Sequence, residues 1–197
     1  MDGPRVPVTA SHPEAHGTTQ GFLRTTPNSS GFEKDPGLRS SNLASMDSPA
    51  EPRPAAVRRQ DTLHRLAHDV DIWVASASAD GVPYLVPLSF DWDGETLLLA
   101  TVADSPTGRN LAATRTVRLG LGPTRDVTMI DGDVDVLEID QLPPEVGDRF
   151  AARTGFDPRT LSTPYRWFRV RPRRIQAWRE ANELTGRLLM NDGKWLV

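Results

Sequence analysis

The chain contains no cysteine, which removes disulfides, thiolate-ligated metals and a cysteine nucleophile from consideration. Histidine is scarce as well, with His12, His16, His64 and His68 the only four. Charge of one sign is also lacking. With 23 basic and 26 acidic residues the formal net charge is −3, so no global field draws nucleic acid to the protein. No apolar run approaches the length of a membrane span, and the N-terminus has no apolar core of signal-peptide length. The expectation is therefore a soluble cytoplasmic protein. Neither a G-x-G-x-x-G fingerprint nor a Walker loop occurs, and neither late histidine adjoins a G-x-S-x-G turn. The common nucleotide folds and serine hydrolysis thus have no motif here.

What the chain does have divides at about residue 58. Eight of the 17 prolines precede that point, among many Ser, Thr and Gly residues and little apolar periodicity. Such a stretch buries too little surface to offset the entropy of ordering it, so residues 1–58 are expected to form a disordered tail. Met46 offers an alternative start to the chain, and deletion of residues 1–45 is expected to leave folding intact. Residues 59–197 then form the folded domain.

Within that domain, Arg59 to His68 reads as a short helix. His64 and His68 stand four apart on it, a spacing that can hold a metal, but no third ligand accompanies them and the reading is two solvated or capping histidines. Ile72 to Ser78 is a strand. Tyr84, Val86, Leu88, Phe90 and Trp92 then fall at every second position, which places one apolar face on a second strand. Corners at Ala79-Asp80-Gly81 and Asp93-Gly94 make an antiparallel meander with Thr96 to Thr101. Ser105 and Pro106 supply an N-cap and a first helical residue for a helix running to Ala113. Strands follow at Val117 to Leu121 and Val127 to Ile139, then a helix from Glu145 to Arg153 and a long strand from Arg166 to Trp178. That last strand is expected to bulge near Pro172. Asp192-Gly193 suggests a final hairpin. Five or six short strands without a repeating β-α pattern indicate a mainly β protein built as an antiparallel barrel.

Two charged stretches have competing readings. Eight acidic residues lie between Asp126 and Asp148 with no basic residue among them; a cation site is possible there, and an outward strand face is the simpler explanation. Six arginines crowd Arg166 to Arg179 among Trp167, Phe168 and Trp178. Basic and aromatic interleaving suits nucleic acid, yet one buried strand face produces the same alternation, and the arginines then answer the acidic strand across the sheet. We expect no nucleic acid partner and no membrane. Around the second helix start, Ser105, Thr107, Arg109 and Asn110 form a candidate anion site, where free N–H groups and the helix dipole favour a phosphate.

The stretch PYLVPLSFDWDGETLLLATVADSPTGRNL resembles the second and third strands and following helix of the pyridoxamine 5'-phosphate oxidase-like, flavin-binding split-barrel family, and the likeness continues from residue 71 to about 180. The resemblance implies a mainly β, antiparallel split β-barrel with a few short helices. It further implies FMN, or a deazaflavin in its place, bound with its ring against Val86, Pro87, Leu88 and Ser89. By the same carry-over Thr101, Ser105, Thr107, Arg109 and Asn110 take the ribityl chain and phosphate. The chain departs from the family where pyridoxamine phosphate oxidases have Ser-Arg-Lys and it has Ser105-Pro106-Thr107. Their closing arginine and histidine motif is not evident either, which argues against vitamin B6 as substrate. The implied activity is an FMN- or deazaflavin-dependent oxidoreductase that transfers hydride to or from a small organic molecule, with a nicotinamide or deazaflavin reductant. No catalytic acid or base is identified. The other reading is a non-catalytic split barrel that binds a flavin, deazaflavin or haem for storage or sensing. The family pairs its barrels, and five tryptophans exceed what one small core encloses, so a homodimer is expected.

Overall fold

The structure is a computed structural model and describes residues 50–197. A helix, α1 (Ala55–His68), leads into the meander β1 (Asp71–Ala77), β2 (Pro83–Trp92) and β3 (Leu97–Val102). Helix α2 (Pro106–Thr114) follows, then β4 (Thr116–Leu121), β5 (Val127–Glu138), α3 (Pro144–Thr154), β6 (Tyr165–Trp178), β7 (Leu188–Asn191) and β8 (Lys194–Trp195). Neighbouring strands run in the order β3-β2-β1-β4-β5-β6-β7-β8, and β3 also pairs with β6. Six antiparallel strands therefore close on themselves, and β7 and β8 extend the sheet beyond β6. The final hairpin expected at Asp192-Gly193 is β7–β8, where Asn191 pairs with Lys194; its strands, four and two residues long, bring the expected five or six to eight.

The alternation read in β2 marks the barrel interior. Phe90 is fully buried among Ile72, Val74, Leu99, Leu119, Ile130 and Phe168, and Val86, Leu88 and Trp92 pack against the same core. β3 behaves differently, with Leu97 to Thr101 all buried. Leu97 and Leu99 enter the barrel, while Leu98 and Ala100 lie with Phe150 and Trp167 in a second cluster. The run Leu97-Leu98-Leu99-Ala100 is apolar throughout because α3 covers its outer face. At the Asp93-Gly94 corner Gly94 takes φ 102°, and the Asp93 carboxylate accepts the Glu95 and Thr96 N–H groups at 2.9 and 2.6 Å.

Acidic β5 lies against arginine-rich β6, and their side chains pair on the outer face. Arg166 meets Glu138 at 2.8 Å, Arg171 meets Asp135 at 2.6 Å and Arg173 meets Asp133 at 2.8 Å. On the other side of β5, Arg118 of β4 meets Asp131 at 2.5 Å. The expected irregularity near Pro172 is present: Asp131 faces Arg174 and Gly132 faces Pro172, which leaves Arg173 as the extra residue of a bulge.

The tail boundary expected at residue 58 is corrected. Helix α1 begins at Ala55, not Arg59, and Arg53 before it is held by the C-terminal part of the chain. The Arg53 guanidinium grips Glu183 at 2.8 and 2.7 Å and also reaches Asp61 at 2.6 Å and Asp126 at 2.9 Å. The polar composition that marked a tail is here the composition of an ion cluster. The rest of the expected tail, residues 1–49, lies outside the described residues. Within the described residues no helix is long and apolar enough to cross a membrane. His68 Nδ1 lies 2.7 Å from the His64 carbonyl oxygen, and the two rings stack at 4.1 Å on the exposed face of α1.

Candidate functional site

β2 and β3 pair only from Phe90 to Trp92 and from Leu97 to Leu99. Beyond that point β2 continues with β1 alone, while Ala100 to Val102 continue with β6 alone. The sheet is thus split between Ser89 and Ala100.

The edges of this split carry unpaired backbone groups. The Phe90 N–H points to β1, where it meets the Val70 carbonyl at 2.8 Å, and the Asp93 N–H points to β3, meeting Thr96 O at 3.2 Å. Because direction alternates along a strand, the N–H and C=O of Leu85 and Ser89 and the C=O of Pro87 face the split. Pro83 and Pro87 sit where an N–H would have no strand partner, the position an edge proline tolerates. On the other side, Ala103 donates to Pro164 O on the β6 side, so the backbone groups of Ala100 face Ser89 across the opening.

Side chains build a recess of about 350 Å³ over this split. Pro87, Leu88 and Ser89 of β2, Thr101 of β3 and Asp71 of β1 form one part, and Phe150, Phe156 and Tyr165 form the other. Ser89 donates its hydroxyl to Asp71 at 2.6 Å. Asp91, one pleat along β2, is 2 % exposed and accepts from Arg149 of α3 at 2.7 Å. That ion pair fastens α3 to β2 and so sets the position of Phe150.

The residues implied for the cofactor are not all brought together. Pro87, Leu88, Ser89 and Thr101 line the recess, whereas Val86 turns into the barrel core. Thr101 and Ser105 bring their hydroxyl oxygens to 3.3 Å, and Ser105 accepts the Gly108 N–H at 3.0 Å as the cap of α2. Thr107 and Asn110 are buried, and Asn110 donates to Ser76 of β1 at 3.2 Å. Arg109 is exposed and donates back to the Asp104 carbonyl.

This start of α2 is a lean anion site. Pro106 has no N–H and the Gly108 N–H is taken by Ser105, so the Thr107 N–H is the donor left in the first three positions. Asp71, Phe150, Phe156 and Tyr165 went unread in the sequence. They come from separate elements, and no local pattern links them.

Comparison with solved structures finds proteins of low sequence identity. HutZ, the haem storage protein from Vibrio cholerae, is 16% identical, with 63% of this chain and 97% of that chain covered and a TM-score of 0.51. A putative pyridoxamine 5'-phosphate oxidase from Listeria innocua is 15% identical over 63% of this chain and 98% of that one, with a TM-score of 0.49. An F420 reductase is 20% identical over 57% and 93%, with a TM-score of 0.47. No curated protein matches the sequence at a significant level. The family model described as pyridoxamine 5'-phosphate oxidase matches residues 66–179, more than half of the chain and all six strands of the closed barrel; the chain belongs to that family.

Proposed function

We propose that the protein is a flavin-dependent oxidoreductase that holds FMN, or a deazaflavin, in the split between β2 and β3. The observation that carries this reading is the open strand edge. Leu85, Pro87, Ser89 and Ala100 present backbone donors and acceptors that no strand satisfies, and such an open edge is free to bond a ligand. A flat heterocycle with alternating C=O and N–H groups answers such an edge, and the rings of Phe150, Phe156 and Tyr165 exclude water from its face. When bound, the flavin supplies hydride transfer. The chain's own part is to bind, orient and dry the reacting face. The phosphate would lie by the Thr101 and Ser105 hydroxyls and the Thr107 N–H, with Arg109 swinging from the Asp104 carbonyl to meet it. The substrate is a small organic molecule, and a reduced nicotinamide or deazaflavin is the source of hydride.

A haem reading has less behind it. Among the described residues the only histidines are His64 and His68 on α1, and neither lines the recess.

An absorbance titration of the purified protein with FMN tests the proposal. Flavin bound tightly and bleached on adding NADH is the expected result; a protein indifferent to both FMN and a deazaflavin would refute it. Arg109→Ala should weaken FMN binding by about 1.5–3 kcal/mol, the range for a hydrogen bond to a charged group, or roughly ten- to a hundredfold. Wild-type affinity in the folded variant would remove Arg109 from the phosphate site.

We also propose that two copies pair through the outer face of β1 and β2. Trp73 is 51% exposed there and Leu85 59%, side by side across the β1–β2 pairing, and neighbouring exposed apolar side chains make a surface that a partner can cover. Light scattering should give twice the chain mass, and Trp73→Glu should halve it. A monomeric wild-type protein at micromolar concentration would contradict the pairing.

A further inference from the structure

The last carbonyls of a helix have no partner within it, and at the end of α1 an arginine of another helix answers them. Arg153, in the last turn of α3, donates from Nη2 to the Leu66 and Asp69 carbonyls at 2.6 and 2.7 Å. Its guanidinium lies 5.1 Å from the centre of the Phe90 ring. Its Nη1 stands 3.8 Å from the Asp91 carboxylate, which Arg149 of α3 also grips at 2.7 Å. One side chain joins the end of α1, β2 at Phe90 and Asp91, and α3.

The joint is buried. Leu66 and Phe90 are wholly enclosed, Asp91 is nearly so, and the Arg153 Nε–H is buried with no partner among the described residues. A methionine would fill similar space without that orphan donor. What the arginine alone supplies is a planar, multiply donating head that fixes three elements at one point. That point adjoins the split. Ser89 precedes Phe90, Asp71 comes two residues after Asp69, and Phe150 lies one helical turn before Arg153. The contacts of Arg153 run between groups of one chain and do not depend on what covers the outer face of β1 and β2.

We propose that Arg153 is a positioning residue that couples α1 to α3, so that the docking of α1 sets the width of the split. With α1 seated, its last carbonyls hold Arg153, and Arg153 holds α3 against β2. Coupling of this kind is reciprocal, and a ligand in the split therefore also seats α1. That the ligand is FMN rests on the flavin reading above; the joint between α1 and α3 does not.

Hydrogen exchange of the full-length protein, read by mass spectrometry with and without FMN, tests the coupling. FMN should slow exchange in α1 of the wild-type protein, although no residue of α1 lines the recess. Arg153→Met should speed exchange in the last turn of α1 and in α3 together, while β4 and β5 exchange as before. It should also abolish the slowing of α1 by FMN and weaken FMN binding by about five- to a hundredfold, the usual size of a coupling between sites. Arg153→Lys keeps the charge and should recover part of each effect. Arg149→Met takes the other arginine off Asp91 without touching α1, and should speed exchange in α3 alone. Full FMN affinity in folded Arg153→Met, or FMN protection of α1 that survives in it, overturns the proposal. A rise in exchange confined to α3, or spread evenly over the barrel as for a merely structural residue, overturns it as well. A wild-type protein that ignores FMN and a deazaflavin defeats the flavin reading instead, and the joint response of α1 and α3 to Arg153→Met then decides the coupling by itself.

Discussion

A chain that begins at Arg59 is expected to be far less stable than one that begins at Met46, although both contain the whole barrel. The shorter chain loses Arg53, whose guanidinium ties Asp61, Asp126 and Glu183 together at 2.6–2.9 Å. It also loses Arg58, 5% exposed and donating to the Ala177 carbonyl at 3.2 Å. Glu183 is itself 2% exposed and accepts the Arg179 N–H at 2.6 Å as well as the Arg53 N–H at 3.0 Å. Removing one partner of a buried ion pair strands the other charge, at about 3–5 kcal/mol. Glu183→Gln leaves Arg53 its bonds to Asp61 and Asp126 and should cost about 1.5–3 kcal/mol, the range for a hydrogen bond to a charged group, roughly 3–12 °C in melting temperature for a chain of this size. Urea melts compare the two truncations. A chain starting at Arg59 with the midpoint of the Met46 chain would show that the cluster contributes nothing.

The same cluster gives the protein an acid limit. The hydrogen bond from Arg53 holds the Glu183 carboxyl at about 2, against an ordinary value of 4.5. Asp126 is likewise held below its ordinary range: burial pushes it up, but its bonds to Arg179, Arg65 and Arg53 prevail. A carboxylate with a depressed folded pKa stabilises the protein fully above the unfolded value and loses that contribution as pH falls through the folded one. Stability should therefore drop between about pH 4.5 and pH 2. The Glu183→Gln protein should show a shallower fall over that interval. Parallel pH profiles for the two proteins would rule out this origin.

Gly108→Ala is expected to destabilise the protein by about 3 kcal/mol, the upper part of the range for overpacking. An alanine in a helix interior normally does the opposite by roughly 0.5–1 kcal/mol, so the sign is diagnostic. A Cβ at Gly108 would stand 2.6 Å from the Ala103 carbonyl oxygen and closer still to that of Val102. Both obstacles are backbone and cannot rotate away. The first turn of α2 must lift from the loop after β3, which parts the Gly108 N–H from the Ser105 hydroxyl and that hydroxyl from Thr101. FMN affinity should fall with stability. Gly147→Ala in α3 provides the contrast. The nearest atoms to its Cβ belong to the Arg159 side chain, at 2.6–3.0 Å, and a flexible side chain can move aside at little cost. Equal melting temperatures for the two variants would disprove the close approach at Gly108.

The residues of β2, the Asp93-Gly94 corner, the Ser105 cap and the alternation of Arg169 and Arg171 with Phe168 and Val170 are all legible one segment at a time. Each reports which face of its own element meets apolar neighbours, and a strand's period of two or a helix's capping residue carries that information locally. The barrel class and the β5–β6 charge pairing follow from such signals in series.

Arrangements that join distant segments carry no such signature. Arg53 and Glu183 are 130 residues apart, and Arg53 alone reads as one more polar residue in a proline-rich stretch. The split depends on β3 leaving β2 after Leu99 to finish its pairing on β6, a choice of partner that neither strand's own pattern records. Likewise Phe150, Phe156 and Tyr165 look like core residues of α3, a turn and β6, and all three do pack with the second cluster. Folding turns them toward Asp71, Ser89 and Thr101. The composition of each element was written locally, whereas the recess and the latch at Arg53 exist only once long-range pairing has brought those elements together.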